Sequence, residues 1–372
     1  MKKTVPHSNA QSPRRILVSG GAGFIGSALV RYLVNVQQLE VINVDALTYA
    51  GDLSALSAVE ESSRHLFCRQ DIRDADALAQ LFMKAQPQAV MHLAAETHVD
   101  RSIDAPEVFV QTNVLGTLNM LEAARAYWQQ LPAAQQAQFR FLHVSTDEVY
   151  GDLAAGAEPA DEQTPYAPSS PYAASKAGAD HLVRAWYRTY GLPVLLTHCC
   201  NNYGAYQYPE KLIPHMILNA LAGQPLPVYG DGLQQRQWLF VDDHVRALWR
   251  VLCAGRVGES YHISVSETMS NLDVVRQICH VLEALVPVHP QVVKSYASLI
   301  SHVPDRPGHD RHYALNSEKI RCELGWLPQV SLEQGLRQTV AWYVQNRSWW
   351  QQVLARGYAL QRQGLAACGG GV

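Results

Sequence analysis

Gly20, Gly23 and Gly26 stand three apart between the apolar run Ile16-Leu17-Val18 and a stretch of helical spacing from Ser27 to Val36. A strand that turns through glycines into a helix commits the next strand to lie parallel to the first, because the helix must cross back over the sheet. The unit then recurs. Val41 to Val44, Ala89 to Leu93, Phe139 to Val144 and Val194 to Thr197 are short apolar runs, and Asp74 to Lys84, Pro106 to Trp128 and Pro171 to Tyr190 carry the helical period between them. Such alternation predicts an α/β chain with a doubly wound parallel sheet covered by helices on both faces. With 372 residues, 48% of them hydrophobic, the chain can fill that core and a second, smaller one.

Beyond Tyr203 the order loosens. Pro209, Pro214, Pro225 and Pro227 interrupt shorter elements, and Gly230-Asp231-Gly232 is a turn signal. A smaller mixed α/β C-terminal lobe on the substrate side is expected here, with helices over Asn271 to Leu285 and Leu332 to Trp350. Ser331 and Gln334 have capping-box spacing before the second. The expected division is a disordered tail over 1–14, a nucleotide-binding domain over 15–202, a predominantly substrate-binding lobe over 203–350 and a tail over 351–372, ending Gly-rich from Gly369 to Val372.

A formal net charge of −3 gives no general attraction for nucleic acid or an anionic membrane, so an anionic ligand needs locally placed cations. The seven cysteines (68, 199, 200, 253, 279, 322 and 368) are odd in number and contain no Cys-x-x-Cys, which disfavours a disulfide framework and a zinc site and fits free thiols in the cytoplasm. Met1 to Arg15 lacks an apolar run long enough for a signal peptide, and no stretch approaches membrane-spanning length.

The glycine triplet lies where a pyrophosphate can rest on a helix N-terminus, although a tight strand-to-helix turn without a ligand uses the same residues. Asp45, nineteen residues after Gly26 and at the end of the second strand, adds a carboxylate able to hold a ribose diol. It would repel a 2′-phosphate, which favours NAD over NADP. Ser145-Thr146-Asp147-Glu148 then puts two adjacent carboxylates at the mouth of this nucleotide fold. Hydride transfer alone does not need them. An elimination does, with one carboxyl protonating a departing hydroxyl while the other takes a proton from the neighbouring carbon. Tyr172 and Lys176 are four apart on one helix face, where an ammonium beside a phenol favours phenolate. A surface pair has the same spacing, but this one follows the carboxylates by about 25 residues.

With these motifs in place, the chain resembles the extended short-chain dehydrogenases, and among them the dTDP-glucose 4,6-dehydratases, from Arg15 to about Trp350. The resemblance is carried by Gly20 to Gly26, Asp45 to Gly51, His92 to Ser102, Ser145 to Gly151, Tyr172 to Lys176, Asn201 to Gly204, Pro209 to Pro214 and Asp305 to Asp310. Epimerase relatives usually lack the Asp-Glu pair. The resemblance implies a Rossmann-type domain holding NAD and a redox-neutral dehydration of dTDP-glucose. In it Tyr172, helped by Thr146, takes the 4-hydroxyl proton, Glu148 takes the C5 proton and Asp147 protonates the leaving 6-hydroxyl. It also implies Phe24 and Ile25 at the pyrophosphate, Asp45 and Thr48 at the adenosine ribose, Asp71 and Ile72 at adenine, and Leu93, Ala95 and Thr112 near ribose and phosphate, with Tyr172, Lys176 and Asn202 completing the cofactor side. On the substrate side it implies Thr97, Thr146, Asn201, Lys211, Leu212, Pro227, Tyr229, Arg236, Asn271, Arg306 and His309.

Three departures from the family pattern surround the substrate. Gln237 replaces the usual acid after Arg236, which removes a carboxylate expected to orient that arginine. Tyr261 to Ser266 lacks two usual glycines, and His198-Cys199-Cys200 replaces a more polar run. They leave the choice of nucleotide and sugar open, so a dehydratase or 4-epimerase of another nucleotide sugar stands as the alternative, followed by a cofactor-binding relative without turnover. His309 and His312 have no third partner at metal-ligand spacing, so no metal is expected. The apolar faces of the helices over 106–128 and 171–190 fit a homodimer through a helix bundle, as in the resembling family, or packing onto the sheet.

Overall fold

In the computed structural model, residues 12–154, 156–290 and 293–355 are described. The expected tails over 1–11 and 356–372 lie outside them. Residues 351–355, expected to belong to the second tail, close the helix Arg347–Ala355.

Ile16 and Val18 are completely buried on one face of the first strand and Leu17 on the other, so the alternation of a strand buries both faces at once. That strand, β1 (Arg15–Ser19), lies inside a sheet with β2 (Glu40–Asp45), β3 (His65–Arg69), β4 (Ala89–His92), β5 (Arg140–Thr146) and β6 (Val194–Cys199). Three further strands follow: β7 (Asn201–Tyr203), β8 (Leu226–Tyr229) and β9 (Gln235–Phe240). The chain then returns to the main sheet as β10 (Ser260–Ile263) before β11 (Thr268–Ser270) and β12 (Ile300–Val303). Among the described residues the main sheet has seven strands in the order β10-β6-β5-β4-β1-β2-β3, with every pairing parallel. The doubly wound α/β prediction is therefore borne out. After β3 the chain crosses to the other side of β1 to lay down β4, so the connections leaving β1 and β4 diverge. A crevice opens above their C-terminal ends, which is where ligands bind such sheets.

Helices Phe24–Arg31 and Val241–Ala254 cover one face, and Ala75–Ala85, Gly116–Trp128 and Pro171–Tyr190 cover the other. The smaller lobe has its own core around Tyr203, Ile217, Val275 and Tyr343, a three-stranded mixed sheet β11-β9-β7 and the pair β12-β8. Helices Leu212–Leu221, Asn271–Leu285 and Leu332–Gln345 flank them.

Local signals account for several boundaries. Ser170 Oγ accepts from the N–H of Ala173, with Pro171 as first helical residue. Ser331 Oγ accepts from Gln334 N in the same way. The single helix expected to run to Trp350 ends instead at Gln345. There the Asn346 side chain donates to Trp342 O, and the restarted helix sends Trp349 Nε1 to Asp52 Oδ2 at 2.7 Å, tying the C-terminal segment to the loop after β2.

Candidate active site

The crevice is built first from what the glycines leave out. A Cβ on Gly26 would sit 1.9 Å from the carbonyl oxygen of Gly20, and one on Gly20, at φ +76°, would sit 2.6 Å from Ala94 N. Gly23 caps the helix Phe24–Arg31 without a side chain, and no acid occupies its first turn, so its first N–H groups face the crevice unopposed. At the end of β2, Asp45 accepts from Leu47 N at 2.8 Å and from Ala22 N at 2.9 Å. Burial pushes its carboxyl up and these two bonds hold it down. A cradle that any Cβ would fill, a bare helix start and a fixed carboxylate fit the pyrophosphate and ribose of a dinucleotide. The cleft, about 390 Å³, is lined by Gly20, Gly23, Phe24, Ile25 and Gly26, by Asp45, Thr48, Asp71 and Ile72, and by Leu93, Ala95, Thr112 and Asn202, with Tyr172 and Lys176. The glycines and Asp45 were expected there from their spacing, and the others were implied there by the family resemblance.

The reactive groups enter from two elements. Strand β5 ends at Thr146, and a tight turn over Asp147–Tyr150 follows it. Thr146 Oγ1 accepts from Glu148 N at 3.3 Å and donates to Asp147 Oδ1 at 3.1 Å, so one hydroxyl fixes both members of the pair. The Thr146 hydroxyl also opposes the upward push on the Tyr172 phenol. Tyr172 and Lys176 come from the helix Pro171–Tyr190, both buried along its inner face. Lys176 Nζ donates to Val144 O at 2.9 Å and lies 3.4 Å from His143 Nε2.

The surroundings separate these groups electrostatically. Burial, then the neighbouring Glu148, pushes Asp147 up to about 7, against a downward pull from Arg236. Burial raises Glu148 as well, but Arg306, Arg236 and Lys211 all oppose it. Desolvation also raises Tyr172 and lowers Lys176. One carboxyl is thus poised to carry a proton near neutrality while its neighbour faces three cations.

Of the residues expected on the substrate side, Thr97, Thr146, Asn201 and Lys211 line the same cleft, and Lys211 Nζ donates to Thr97 O at 3.0 Å. Arg236, on β9, stacks over the Tyr313 ring at 4.2 Å and donates to the carbonyls of Asp310, Gln235 and Arg311. Arg306 pairs with Asp100 at 2.8 Å, Tyr229 donates to the same carboxylate, and His309 packs edge-on to Tyr229. Like Tyr229, Arg236, Arg306 and His309, the residues Leu212, Pro227 and Asn271 sit outside the cleft lining: Leu212 opens a helix against the lobe core, Pro227 lies within β8 opposite Ser301, and Asn271 N donates to Gln234 O. Asp100, Tyr313 and Glu96 belong to this neighbourhood and were not singled out from sequence. Asp100 lay inside a quoted motif and had a signal to find; Tyr313 had none.

The expectation that Gln237 leaves Arg236 unoriented is corrected. Adjacent strand residues point to opposite faces. Gln237 therefore turns away, accepting from Leu315 N at 2.8 Å and donating to the carbonyls of Leu315 and Val265, while three carbonyls and a ring hold Arg236. Ser264 Oγ donates to the same Leu315 carbonyl at 2.9 Å, so two of the departures form one buried clamp.

A parallel sheet in this order, a glycine cradle with Asp45 and a Tyr-Lys pair beside the cleft define a dinucleotide-binding enzyme of the short-chain dehydrogenase type, elaborated with an acid pair. The chain belongs to the family described as GDP-mannose 4,6 dehydratase, whose model matches residues 17–339. It is 58% identical to the dTDP-glucose 4,6-dehydratase of Neisseria meningitidis over 351 residues, covering 94% of this chain and 99% of that protein. It is 57% identical to the Haemophilus influenzae enzyme of that name, covering 90% and 98%. Among solved structures, DesIV, a dTDP-glucose 4,6-dehydratase from Streptomyces venezuelae with NAD and TYD bound, superposes with a TM-score of 0.82 at 45% identity over 91% of this chain and 99% of that one. A Thermotoga maritima UDP-glucose 4-epimerase also shares the fold, at 29% identity and a TM-score of 0.78 over 90% and 99%. The resemblance drawn from the motifs is thus borne out.

Proposed function

We propose that this chain converts dTDP-glucose to dTDP-4-dehydro-6-deoxy-glucose and water, as an NAD-dependent hydro-lyase. The observation that carries the reading is the Asp147-Glu148 pair, fixed by the Thr146 hydroxyl, in one cleft with Tyr172 and Lys176. Gly20, Gly23 and Gly26 cradle the cofactor pyrophosphate and Asp45 its ribose. Bound NAD supplies a hydride acceptor for C4 and a hydride donor for C6.

Everything else falls to side chains. Lys176 favours the phenolate of Tyr172, which takes the 4-hydroxyl proton while Thr146 holds the phenol and the carboxylate pair in register. The 4-keto group acidifies the proton on C5, and Glu148 removes it. Asp147, protonated near neutrality, gives its proton to the leaving 6-hydroxyl. Glu148 then returns a proton to C5. Arg236, Arg306 and Lys211 hold the diphosphate side of the substrate and stabilise Glu148 as a carboxylate.

The active form is a homodimer, supported by the exposed Val108, Val110, Leu115, Tyr187 and Tyr190 on the two helical segments expected to meet a second copy. Cytoplasmic residence is supported by the six described cysteines, all free thiols. No described helix is long and apolar enough to cross a membrane.

The test is incubation with dTDP-, UDP-, GDP- and CDP-glucose in deuterated water, followed by product mass. A dehydrated product carrying deuterium at C5 from dTDP-glucose is expected, and its absence with every nucleotide sugar refutes the reading. Glu148→Gln is expected to reduce the bound cofactor, seen at the nicotinamide absorbance, yet release no dehydrated sugar. Equal loss of both half-reactions counts against the roles given to Glu148 and Tyr172.

A further inference from the structure

Behind Lys176 lies a buried cage that the mechanism above does not use. One helical turn beyond the lysine, and two beyond Tyr172, Asp180 is completely buried. Its Oδ2 accepts from Ser145 Oγ at 2.8 Å and from Tyr166 OH at 3.1 Å, and lies 3.2 Å from His198 Nε2. Its Oδ1 lies 3.3 Å from His143 Nε2, the same nitrogen that faces Lys176 Nζ at 3.4 Å. Tyr166 OH also contacts His198 Nε2 at 2.8 Å and receives Arg184 at 3.2 Å.

A buried ammonium is costly unless an opposite charge offsets it. The hydrogen bonds of Lys176 itself reach only neutral groups, the Val144 carbonyl and the His143 ring. Burial, then Lys176, pushes His143 down to about 4, so near neutral pH this imidazole is an uncharged spacer between the lysine and the carboxylate. Burial alone would raise Asp180, but its contacts with His143 and His198 outweigh that and hold it ionised. Asp180 in turn supports the charge on Lys176. The other charged or titratable groups around Tyr172 and Lys176 are Asp147, Glu148 and the Cys199 thiol on the cleft side. Around Asp180 they are His143, His198, Tyr166 and Arg184, with Tyr150, Glu162 and His262 beyond.

We infer that Asp180 is a positioning residue for the oxidation half of the reaction: its buried carboxylate is the counter-charge that keeps Lys176 an ammonium, and so keeps Tyr172 acidic enough to serve as base. The inference rests on the proposed role of Tyr172. Losing Asp180 lowers the lysine, which withdraws positive charge from the phenol and moves the phenol's titration upward.

The test uses the NAD-loaded protein, comparing Asp180→Asn with wild type for the pH dependence of single-turnover cofactor reduction. Tyr172 ionisation is read independently as the ultraviolet phenolate difference against Tyr172→Phe. Expected is a shift of both the rate limb and the phenolate titration to higher pH by about one unit or more, with KM little changed and bound NAD per chain unchanged. Tyr166→Phe, which removes a donor but leaves the charge, is expected to keep both in place. In a Lys176→Met background, Asp180→Asn is expected to add no further shift. A limb that stays put or moves down, or an equal shift in the Lys176→Met background, overturns the inference. If Asp180→Asn alone does not accumulate as folded protein, the double variant decides: its recovery supports charge balance with Lys176, and equal failure overturns it. Survival of the rate limb in Tyr172→Phe instead defeats the role of Tyr172, a distinct result.

Discussion

Replacing Asp147 by Asn separates the cost of keeping this acid buried from its use. The carboxyl titrates at about 7 in the fold, against an ordinary value of 3.8. Between those values the folded protein keeps a proton that the unfolded chain has released, so wild-type stability falls as pH rises through the window and levels off above it. Below the lower value there is no penalty. At one pKa unit per 1.36 kcal/mol, the buried carboxyl costs about 1.5 kcal/mol near pH 5 and about 4 kcal/mol near pH 8. Asparagine has no such proton, and any change in its bond to Thr146 is the same at both pH values and cancels. The stability of Asp147→Asn relative to wild type is therefore expected to grow by about 2.5 kcal/mol between pH 5 and pH 8. For a chain of 372 residues this widens the gap in thermal midpoint by about 3 °C. The assay is thermal unfolding of both proteins at both pH values with equal cofactor content. A gap that stays constant, or narrows as pH rises, refutes the argument that Asp147 is held neutral by burial and by Glu148.

Two other substitutions test the frame around the pair. Gly26→Ala places a methyl against the Gly20 carbonyl and is expected to weaken NAD binding at least about tenfold, or 1.4 kcal/mol; NAD content after purification reads it, and full retention contradicts the cradle. Gln237→Asp restores the acid usual in the family but removes the amide donated to the Leu315 and Val265 carbonyls, leaving a buried carboxylate against two oxygens. A loss of about 2–4 kcal/mol follows, read as a lower thermal midpoint, and an unchanged midpoint rejects the clamp.

Much of the nucleotide-binding half was legible because its strands are apolar runs punctuated by glycine and its helices keep their period over many turns. Helix Asn271–Leu285 was also read to its ends, since Ser270 caps it and its apolar stripe is continuous. β3 escaped notice because His65–Arg69 is an edge strand with only partial burial, so it carries no apolar run. β10 escaped for another reason: it joins the main sheet beside β6 after a long excursion through the smaller lobe, and its pairing with Leu196 to Cys199 leaves no mark in the local pattern. On the cofactor side the glycines and Asp45 were readable from residue type and spacing, because a close backbone turn and a ribose diol demand them, whereas the other lining residues followed only from the family resemblance. The substrate side was less so. Arg236, Arg306 and Lys211 come from separate segments, and only the fold aims them at one carboxylate.

The least legible property is charge state. Asp147 and Asp180 are the same residue type, both buried, on opposite sides of the Tyr172-Lys176 pair. Sequence singles out Asp147 by its neighbour Glu148, but it gives the charge state of neither. Asp147 has a second carboxylate as neighbour and only one hydroxyl donor on Oδ1, with Oδ2 left without a partner among the described residues, so burial wins and it retains a proton near neutrality. Asp180 also leaves one oxygen, Oδ1, without a hydrogen bond among the described residues, but its Oδ2 accepts from a serine and a tyrosine hydroxyl and two imidazoles lie beside the carboxylate, so its partners win and it stays an anion. An acid that must give a proton and a counter-ion that must never take one are thus made from one side chain by the count of donors around it. That count is set by β5, β6 and the helix Pro171–Tyr190 meeting in three dimensions, which explains how the motif revealed the carboxylate pair and yet concealed the charge behind the lysine.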